Sequence, residues 1–329
     1  MNLIFASTTA VRYVYDVAPE IPTLVFSVAY YAIAASGLLA ILVLQSLGKE
    51  NDTTEDTQTS LKGGVELGTY LFLGNAFQVF GLRTVQSDRA AFLLQLTTIF
   101  VPFLQAILAG SFSRISTRVW LASFTALLGV AVISLDGADG AMVDRFGLSG
   151  GDALIVAAAV LYTFHCVRLE LYAQTTSAVR LALTKAVTEM SLSLAVALSL
   201  VICSSINLHQ ETAPDSILSS CIISGESIKL FVTSFIKTVQ TDGPNAGLLA
   251  AGAATTWIGL ITVAYTICAQ SYGQKYVKAA TANLIYTTQP LYTAFFAWIF
   301  LDERLGPLGY AGGGIVLLSV LLVGFGDQE

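Results

Sequence analysis

The stretch that constrains this chain most is "AATANLIYTTQPLYTAFFAWIFL", because these 23 residues between Lys278 and Asp302 carry no charge. A helix rises about 1.5 Å per residue, so about 20 apolar residues cross a hydrocarbon core about 30 Å thick. The window therefore predicts a membrane-spanning helix. It also contains Asn283, Gln289 and Pro290, and polar groups in lipid are costly unless they face a cavity or a partner.

The rest of the chain supports a membrane setting. Of the 329 residues, 55% are hydrophobic and only 12% are charged, whereas a soluble protein carries about 25% charged residues. Only helices and closed barrels cross a bilayer, and the ~10-residue alternating segments of a barrel do not occur in this sequence. The chain is therefore predicted to be an all-α polytopic membrane protein. The predicted spans are 22–47, 64–82, 90–110, 118–135, 149–167, 183–207, 247–273, 279–301 and 307–325.

The first residues, "MNLIFASTTAVRYVYDVAPEIP", contain an apolar stretch too short to span and interrupted by Arg12 and Asp16. We interpret them as the second half of a first helix, and a truncated gene model is one hypothesis for its missing half. Counting this partial helix gives ten spans with both ends on one side. The short loops on that side carry eight Lys and Arg residues against five opposite, which predicts that this side is cytoplasmic.

One predicted loop, 208–246, is much longer than the others. Within it, "SIKLFVTSFIKTV" places its apolar residues at near-helical intervals, which predicts a short amphipathic helix lying on the membrane. A lid without a functional role is an equally good interpretation of this segment.

An internal repeat divides the chain into two halves. When the sequence is shifted by 192 positions, four pairs of identical residues align just before and after a short basic turn. The pairs are Gln78 with Gln270, Gly81 with Gly273, Val85 with Val277, and Ala90 with Ala282. The predicted repeats are 1–137 and 148–326, with five helices each. An odd number of helices inverts the second copy in the membrane, as in secondary transporters whose solute site lies near the midplane between the halves.

The sequence resembles the EamA-type proteins of the drug/metabolite transporter superfamily. Residues 279–324 carry most of the resemblance, with a small-residue helix, a mid-helix proline at Pro290, an acidic turn at Glu303, and glycines at 312–314. The first half matches through "RAAFLLQLTTIFVPFLQAIL" and "RVWLASFTALLGVAVISL", although its turn "AGSFSRIS" lacks the acidic residue. The resemblance implies ten helices in two inverted repeats and movement of small organic solutes without ATP.

Uncharged polar residues inside the predicted spans are candidates for the solute path. They are Asn75, Gln78, Gln95, Gln105, Trp257, Gln270, Asn283, Tyr286 and Gln289. The alternative for each residue is an ordinary hydrogen bond between helices, worth about 0.6 kcal/mol on average in membrane proteins. That alternative suits single residues better, whereas a solute path explains the group better.

Four ionisable residues within or near the spans are candidates for ion coupling or for structural ion pairs: Glu66, His165, Lys185 and Glu189. Lys185 and Glu189 are four residues apart and so share one face of a helix. A carboxylate buried among helices could bind a cation or a proton, because an apolar medium disfavours the charged form. The alternative is a Lys185–Glu189 pair at the membrane edge.

Several other functions are disfavoured. The four cysteines show no CxxC and no metal-ligand spacing, so neither a metal nor another cofactor is expected, and a net charge of −6 argues against nucleic acid. The "GFGD" at 324–327 resembles the motif of intramembrane aspartyl proteases, but Asp327 lies past the last span. A membrane enzyme and a scaffold are therefore the weaker alternatives to a transporter. The partners expected are a small solute and lipid. A homodimer, the particular membrane, the solute and the coupling ion are left open.

Overall fold

In the computed structural model, all regular secondary structure among the described residues is helical. The described residues are 14, 21–47, 54–85, 87–136, 149–206, 217–241, 246–292, 295 and 306–324. The helices up to the middle of the chain are α1 (Thr23–Ser46), α2 (Thr54–Gly81), α3 (Ser87–Leu94), α4 (Thr97–Leu108), α5 (Thr117–Asp136) and α6 (Gly150–Thr175). They are followed by α7 (Ala178–Ile206), α8 (Ile217–Thr241), α9 (Ala246–Trp257), α10 (Thr266–Gly273), α11 (Ala279–Tyr286) and α12 (Pro307–Gly324).

The prediction of an all-α, polytopic membrane protein is confirmed. Among the described residues, seven helical segments are long and apolar enough to cross a membrane. They are Thr23–Ser46, Arg89–Leu108, Thr117–Leu135, Gly150–Thr175, Ala178–Ile206, Ser219–Thr241 and Gly247–Gly273. Six of the nine predicted spans coincide with members of this set. The partial first helix lies almost wholly outside the described residues, as does the second half of the predicted span 279–301.

The helix within the predicted loop 208–246 is longer than the sequence predicted. Residues 217–241 form a single helix of 25 residues, α8, where the sequence predicted a short surface helix. Two of its charges, Glu226 and Lys229, pair over 2.8 Å between Oε1 and Nζ. Its serine and threonine hydroxyls donate to carbonyl oxygens one turn earlier, as Ser224 does to Ser220 over 2.8 Å between oxygens. Satisfied polar groups of this kind allow a Ser- and Thr-rich segment to remain helical.

The chain forms two compact units. The first comprises Met1–Asn2, Glu55–Leu181 and Ala269–Glu329, and the second comprises Leu3–Thr54 and Ala182–Cys268. In the first unit, α5 and α12 approach through glycines. A Cβ atom on Gly312 would lie only 2.5 Å from the carbonyl oxygen of Gly129, so this close packing requires glycine.

Helix α6 is the centre of the first unit. Ser149 and Asp152 form a capping box that fixes its start. Its buried side chains pack against four other helices in three apolar clusters: Ile155 against α3, Cys166 and Val167 against α4 and α11, and Leu169 against α2. Helix α6 therefore fixes the positions of these four helices relative to one another.

In the second unit, α1 packs against a π-helical segment, Ile258–Tyr265, which joins α9 to α10. Phe26 and Ile258 are buried in one apolar cluster, and a Cβ atom on Gly259 would lie 2.8 Å from the side chain of Ile33. A π-helix closes its hydrogen bonds over five residues instead of the four of an α-helix, and such segments often occur at functional sites.

Candidate solute path and coupling groups

Two helices in the first unit are interrupted by a two-residue turn. Gln95 and Leu96 separate α3 from α4, and Thr287 and Thr288 follow α11 before helix resumes at 289–292. The two turns are 192 residues apart, the separation found in the sequence repeat.

The elements around the two turns repeat with the same separation. Helix α2 ends at Gly81 and α10 at Gly273, while α3 and α11 each contain eight residues. The backbone hydrogen bonds also correspond. Gln95 donates to the carbonyl oxygen of Ala91, and Thr287 donates to that of Asn283, each over 3.2 Å from nitrogen to oxygen. The two segments therefore share one local backbone pattern.

The second turn has a local cause. The hydroxyls of Thr287 and Thr288 each donate to a carbonyl oxygen three residues earlier, over 2.6 Å. Such bonds compete with the helical pattern. Pro290 also lacks an amide proton and its ring would clash with the carbonyl of Tyr286 in a continuous helix. Pro102, by contrast, lies inside α4, six residues after the first turn.

Helices α3 and α4 run parallel to α6 and are tied to it at both ends. At one end, Nε and Nη2 of Arg89 donate to the two carboxylate oxygens of Asp152, each over 2.8 Å. At the other end, Nε2 of Gln105 donates to Oε2 of Glu170 over 2.6 Å. Asp152 and Glu170 are 18 residues apart, about 27 Å along a helix, which is close to the thickness of the hydrocarbon core. The turn at Gln95 therefore lies near the middle of α6.

Helix α11 runs antiparallel to α6. Its first residue, Ala279, donates its amide to Oε2 of Glu170 over 2.7 Å, whereas its last residue, Tyr286, lies near Cys166. Glu170 thus caps α11 from a neighbouring helix. Gln105 completes the cap, because its Oε1 accepts from the amide of Ala280 over 3.2 Å. Gln105 therefore connects α4 to α6 and to the start of α11.

Two of the predicted path residues meet on a tyrosine of α6. The hydroxyl oxygen of Tyr162 lies 2.7 Å from Oδ1 of Asn75 and 2.8 Å from Oε1 of Gln78. A hydroxyl carries only one proton, so it can donate to one of these amides while the other turns its NH2 group toward the tyrosine oxygen. The cluster can therefore exchange donors and acceptors without moving a helix.

A second polar cluster lies one helical turn further along α6. The side chain of Gln270 hydrogen-bonds with the Tyr286 hydroxyl, near Cys166. Since residues 162 and 166 share a face of α6, both clusters lie on the same side of that helix. The structure therefore brings together four predicted path residues, Asn75, Gln78, Gln270 and Tyr286, beside the middle of α6.

The remaining path candidates have other positions. Gln95 lies in the first turn and Gln289 directly follows the second, both half-buried. Asn283 is buried, and its Nδ2 has no hydrogen-bond partner among the described residues. Trp257 belongs to the second unit and is 49% exposed, at the start of the π-helical segment.

Glu66 lies in a dense hydrogen-bonded cluster in the first unit. Its Oε1 accepts from Nε of Arg168 over 2.5 Å, and its Oε2 accepts from Nη2 of Arg168 over 2.9 Å. The hydroxyls of Tyr172 and Tyr70 also donate to it, over 2.5 and 3.3 Å. This bidentate arrangement favours the ion-pair interpretation of Glu66.

Lys185 and Glu189 lie in the second unit, and the structure places both deep in α7. Lys185 is completely buried, and Glu189 is 2% exposed. The hydroxyl of Tyr31, from α1, donates to Oε1 of Glu189 over 2.8 Å. His165 is also buried, on α6 in the first unit.

Sequence reasoning did not predict the partners of these residues. Three tyrosines hydrogen-bond with them: Tyr31 with Glu189, Tyr162 with the Asn75 and Gln78 amides, and Tyr172 with Glu66. The sequence signalled these partners only by placing a tyrosine inside a predicted span.

Among the described residues, no group of three His, Cys, Asp or Glu side chains could hold a metal ion. Asp327, of the protease-like "GFGD", lies outside the described residues.

Comparison with known proteins identifies the class. Residues 184–325 match the model of the EamA-like transporter family. The chain is 35% identical over 72 residues to "Uncharacterized transporter YdfC" of Bacillus subtilis (strain 168), which is 22% of this chain and 24% of that relative. The match therefore spans about a quarter of the relative's length.

The fold is also that of a solved crystal structure, with a TM-score of 0.62 and 13% identity over 98% of this chain and 94% of the other. The resemblance to the EamA-type transporters is thus confirmed. The second half of this chain is thus similar to the EamA-like transporter family, and the chain is a multi-pass integral membrane protein.

Proposed function

We propose that this protein is a secondary transporter that moves small, uncharged or zwitterionic organic solutes by alternating access, without ATP. The observation that carries the proposal is the convergence of Asn75, Gln78, Gln270 and Tyr286 beside the middle of α6. Polar side chains that meet halfway through a membrane domain are typical of a solute path.

The internal repeat supports this mechanism. The matched segments have the same helix ends and turns, 192 residues apart, and they run in opposite directions relative to α6. Opposite directions are what an inverted repeat requires. We therefore retain the predicted repeats, 1–137 and 148–326, as part of the proposal. Inverted copies can exchange conformations, which opens the path first to one side and then to the other.

The chemistry of the path residues suggests the solute class. Hydroxyl and amide groups can donate and accept hydrogen bonds, and none of the four converging residues is charged. The ionised groups at the two ends of α6 are already engaged, Asp152 by Arg89 and Glu170 by the cap on α11. A solute that carries hydroxyl or amide groups, or one positive and one negative charge, suits such a path better than a phosphate ester does.

The experiment uses the full chain in liposomes loaded with a pooled mixture of amino acids, nucleosides and monosaccharides. Loss of each compound is followed by mass spectrometry for the wild type and for Gln78→Ala/Gln270→Ala. We expect one compound class to leave selectively and the double variant to slow it about tenfold, from two lost hydrogen bonds of about 0.6 kcal/mol each plus the changed path.

The control variant is Gln45→Ala, because Gln45 is exposed at the end of α1. This variant should transport at the wild-type rate. Equal slowing by the control would contradict the assigned path, and an absence of selective loss from folded wild-type protein would contradict the transporter itself.

A further inference from the structure

The carboxylates of the membrane helices differ in how completely they are hydrogen-bonded. Both oxygens of Glu66 and both of Asp152 accept from an arginine and from further donors. Glu189 instead accepts on Oε1 from Tyr31, and its Oε2 has no hydrogen-bond partner among the described residues. A buried carboxylate oxygen without a donor requires an explanation, since leaving it unsatisfied costs free energy.

Glu189 also lies far from either end of its helix. It follows Ala178, the first residue of α7, by 11 residues, which is about 17 Å along the axis and about half the hydrocarbon thickness. The side chain is 2% exposed. An ionisable group at this depth is a functional site by default in a membrane protein.

We propose that Oε2 of Glu189 is a proton-binding site that couples proton movement to solute movement, which rests on the proposed transport function. Protonation at Oε2 forms one O–H bond and displaces no hydrogen bond among the described residues. At Glu66 the same event would break a bond to Arg168. The proton enters from one aqueous side in one conformation and leaves to the other side in the next, so the carboxylate is restored in each cycle.

The surroundings favour a proton over a metal cation. The titratable groups that act on Glu189 in the described structure are Tyr31 of α1 and Lys185 of its own helix. Tyr30, whose ring centroid is 4.5 Å from that of Tyr31, acts on Glu189 only through Tyr31. A metal ion needs several oxygen ligands, whereas this site supplies one carboxylate and one hydroxyl beside an ammonium group. The ammonium group of Lys185 stabilises the carboxylate when the proton has left.

A test that needs no solute is infrared difference spectroscopy of the full chain in lipid, recorded between acidic and alkaline buffer. We expect the titrating carbonyl-stretch signal of the protonated carboxylic acids to lose one component in Glu189→Gln. The matched control is Glu226→Gln, in the same unit and partly exposed, which should keep this component. A Glu189→Gln spectrum that keeps every titrating component of the wild type would overturn the proposal.

A second variant keeps the test decisive if Glu189→Gln does not fold. Tyr31→Phe removes only the hydroxyl that donates to Oε1, and we expect it to change the midpoint pH of the same component. An unchanged midpoint would show that the titrating group is elsewhere.

The transport readout separates this inference from the proposed function. Liposomes with the same metabolite mixture are given an imposed pH gradient, and both gradient-driven accumulation and equilibrium exchange are measured. We expect Glu189→Gln to lose accumulation about tenfold or more and to keep exchange. Accumulation retained in Glu189→Gln refutes the proton site, whereas a wild type without exchange refutes the transporter.

Discussion

Glu66 and Glu189 are the same residue type in membrane helices of one protein, yet their surroundings differ. Glu66, in the first unit, is held by four donors from Arg168, Tyr172 and Tyr70 and is 23% exposed. Glu189, in the second unit, accepts from one hydrogen-bond donor among the described residues, Tyr31, and is 2% exposed. The number of donors, rather than the depth alone, distinguishes a structural carboxylate from one that can exchange a proton.

The difference follows from the cations that accompany each carboxylate. Arginine offers a planar fork that matches both oxygens of Glu66, so the pair is geometrically fixed. Lys185 is a point charge on the same helix as Glu189 and is suited to compensate charge without fixing geometry. A pair of the first kind ties α2 to α6, whereas a pair of the second kind leaves one oxygen available.

The largest expected effect comes from removing the buried lysine. Lys185→Met leaves the buried Glu189 without the positive charge that acts on it, and an uncompensated buried charge costs about 3–5 kcal/mol of the free energy of unfolding. SDS-induced unfolding in mixed micelles measures this loss. The double variant Lys185→Met/Glu189→Gln should recover part of it, because no uncompensated charge remains.

The control for this prediction is Lys229→Met, which removes the cation of the Glu226–Lys229 pair on α8. A partly exposed pair within one helix contributes little, so we expect no measurable change in the unfolding midpoint. Additive losses in the Lys185 and Glu189 single variants would contradict the pairing of the two residues.

A smaller effect is expected at the Glu66 cluster. Arg168→Met removes both bonds of the fork, but Glu66 keeps two tyrosine donors and partial exposure to solvent. We therefore expect a loss of about 2 kcal/mol, below the value for a fully buried pair. Unfolding in the same micelles checks it, with Arg168→Lys as the comparison that keeps the charge and removes the fork. A loss as large as that of Lys185→Met would contradict the contrast between the two sites.

Much of the fold could be predicted from the sequence, because lipid excludes charge and a helix has a fixed rise. The long apolar windows found α1, α5, α7 and the 246–273 helix to within about five residues. The interruption after Tyr286 could not be predicted, since it depends on which carbonyls the hydroxyls of Thr287 and Thr288 select. The sequence predicted a shorter α8, because the apolar pattern does not reveal that Glu226 and Lys229 pair within the helix.

The candidate sites were predictable only where the partners are near in sequence. Lys185 and Glu189 share a helix face, so spacing alone predicted that they lie near each other. Tyr31 and Glu189 are 158 residues apart, and Tyr162 is 84 residues from Gln78. A pattern with a period of 3.6 residues carries no information about such contacts, and they became visible only in the folded chain.

The smallest expected effect compares the two tyrosines that donate to the two carboxylates. Tyr31→Phe removes the described donor to Glu189 inside a dry site, whereas Tyr172→Phe removes one of four donors to Glu66. Since hydrogen bonds to charged groups contribute about 1.5–3 kcal/mol when buried, we expect Tyr31→Phe to cost about 1.5 kcal/mol. Tyr172→Phe should cost about 0.5 kcal/mol, because the Arg168 fork still satisfies both oxygens. Unfolding of both variants in the same micelles measures the difference. If Tyr172→Phe cost more than Tyr31→Phe, the cluster around Glu66 would depend on its tyrosine rather than on its arginine, and donor number would not distinguish the two carboxylates.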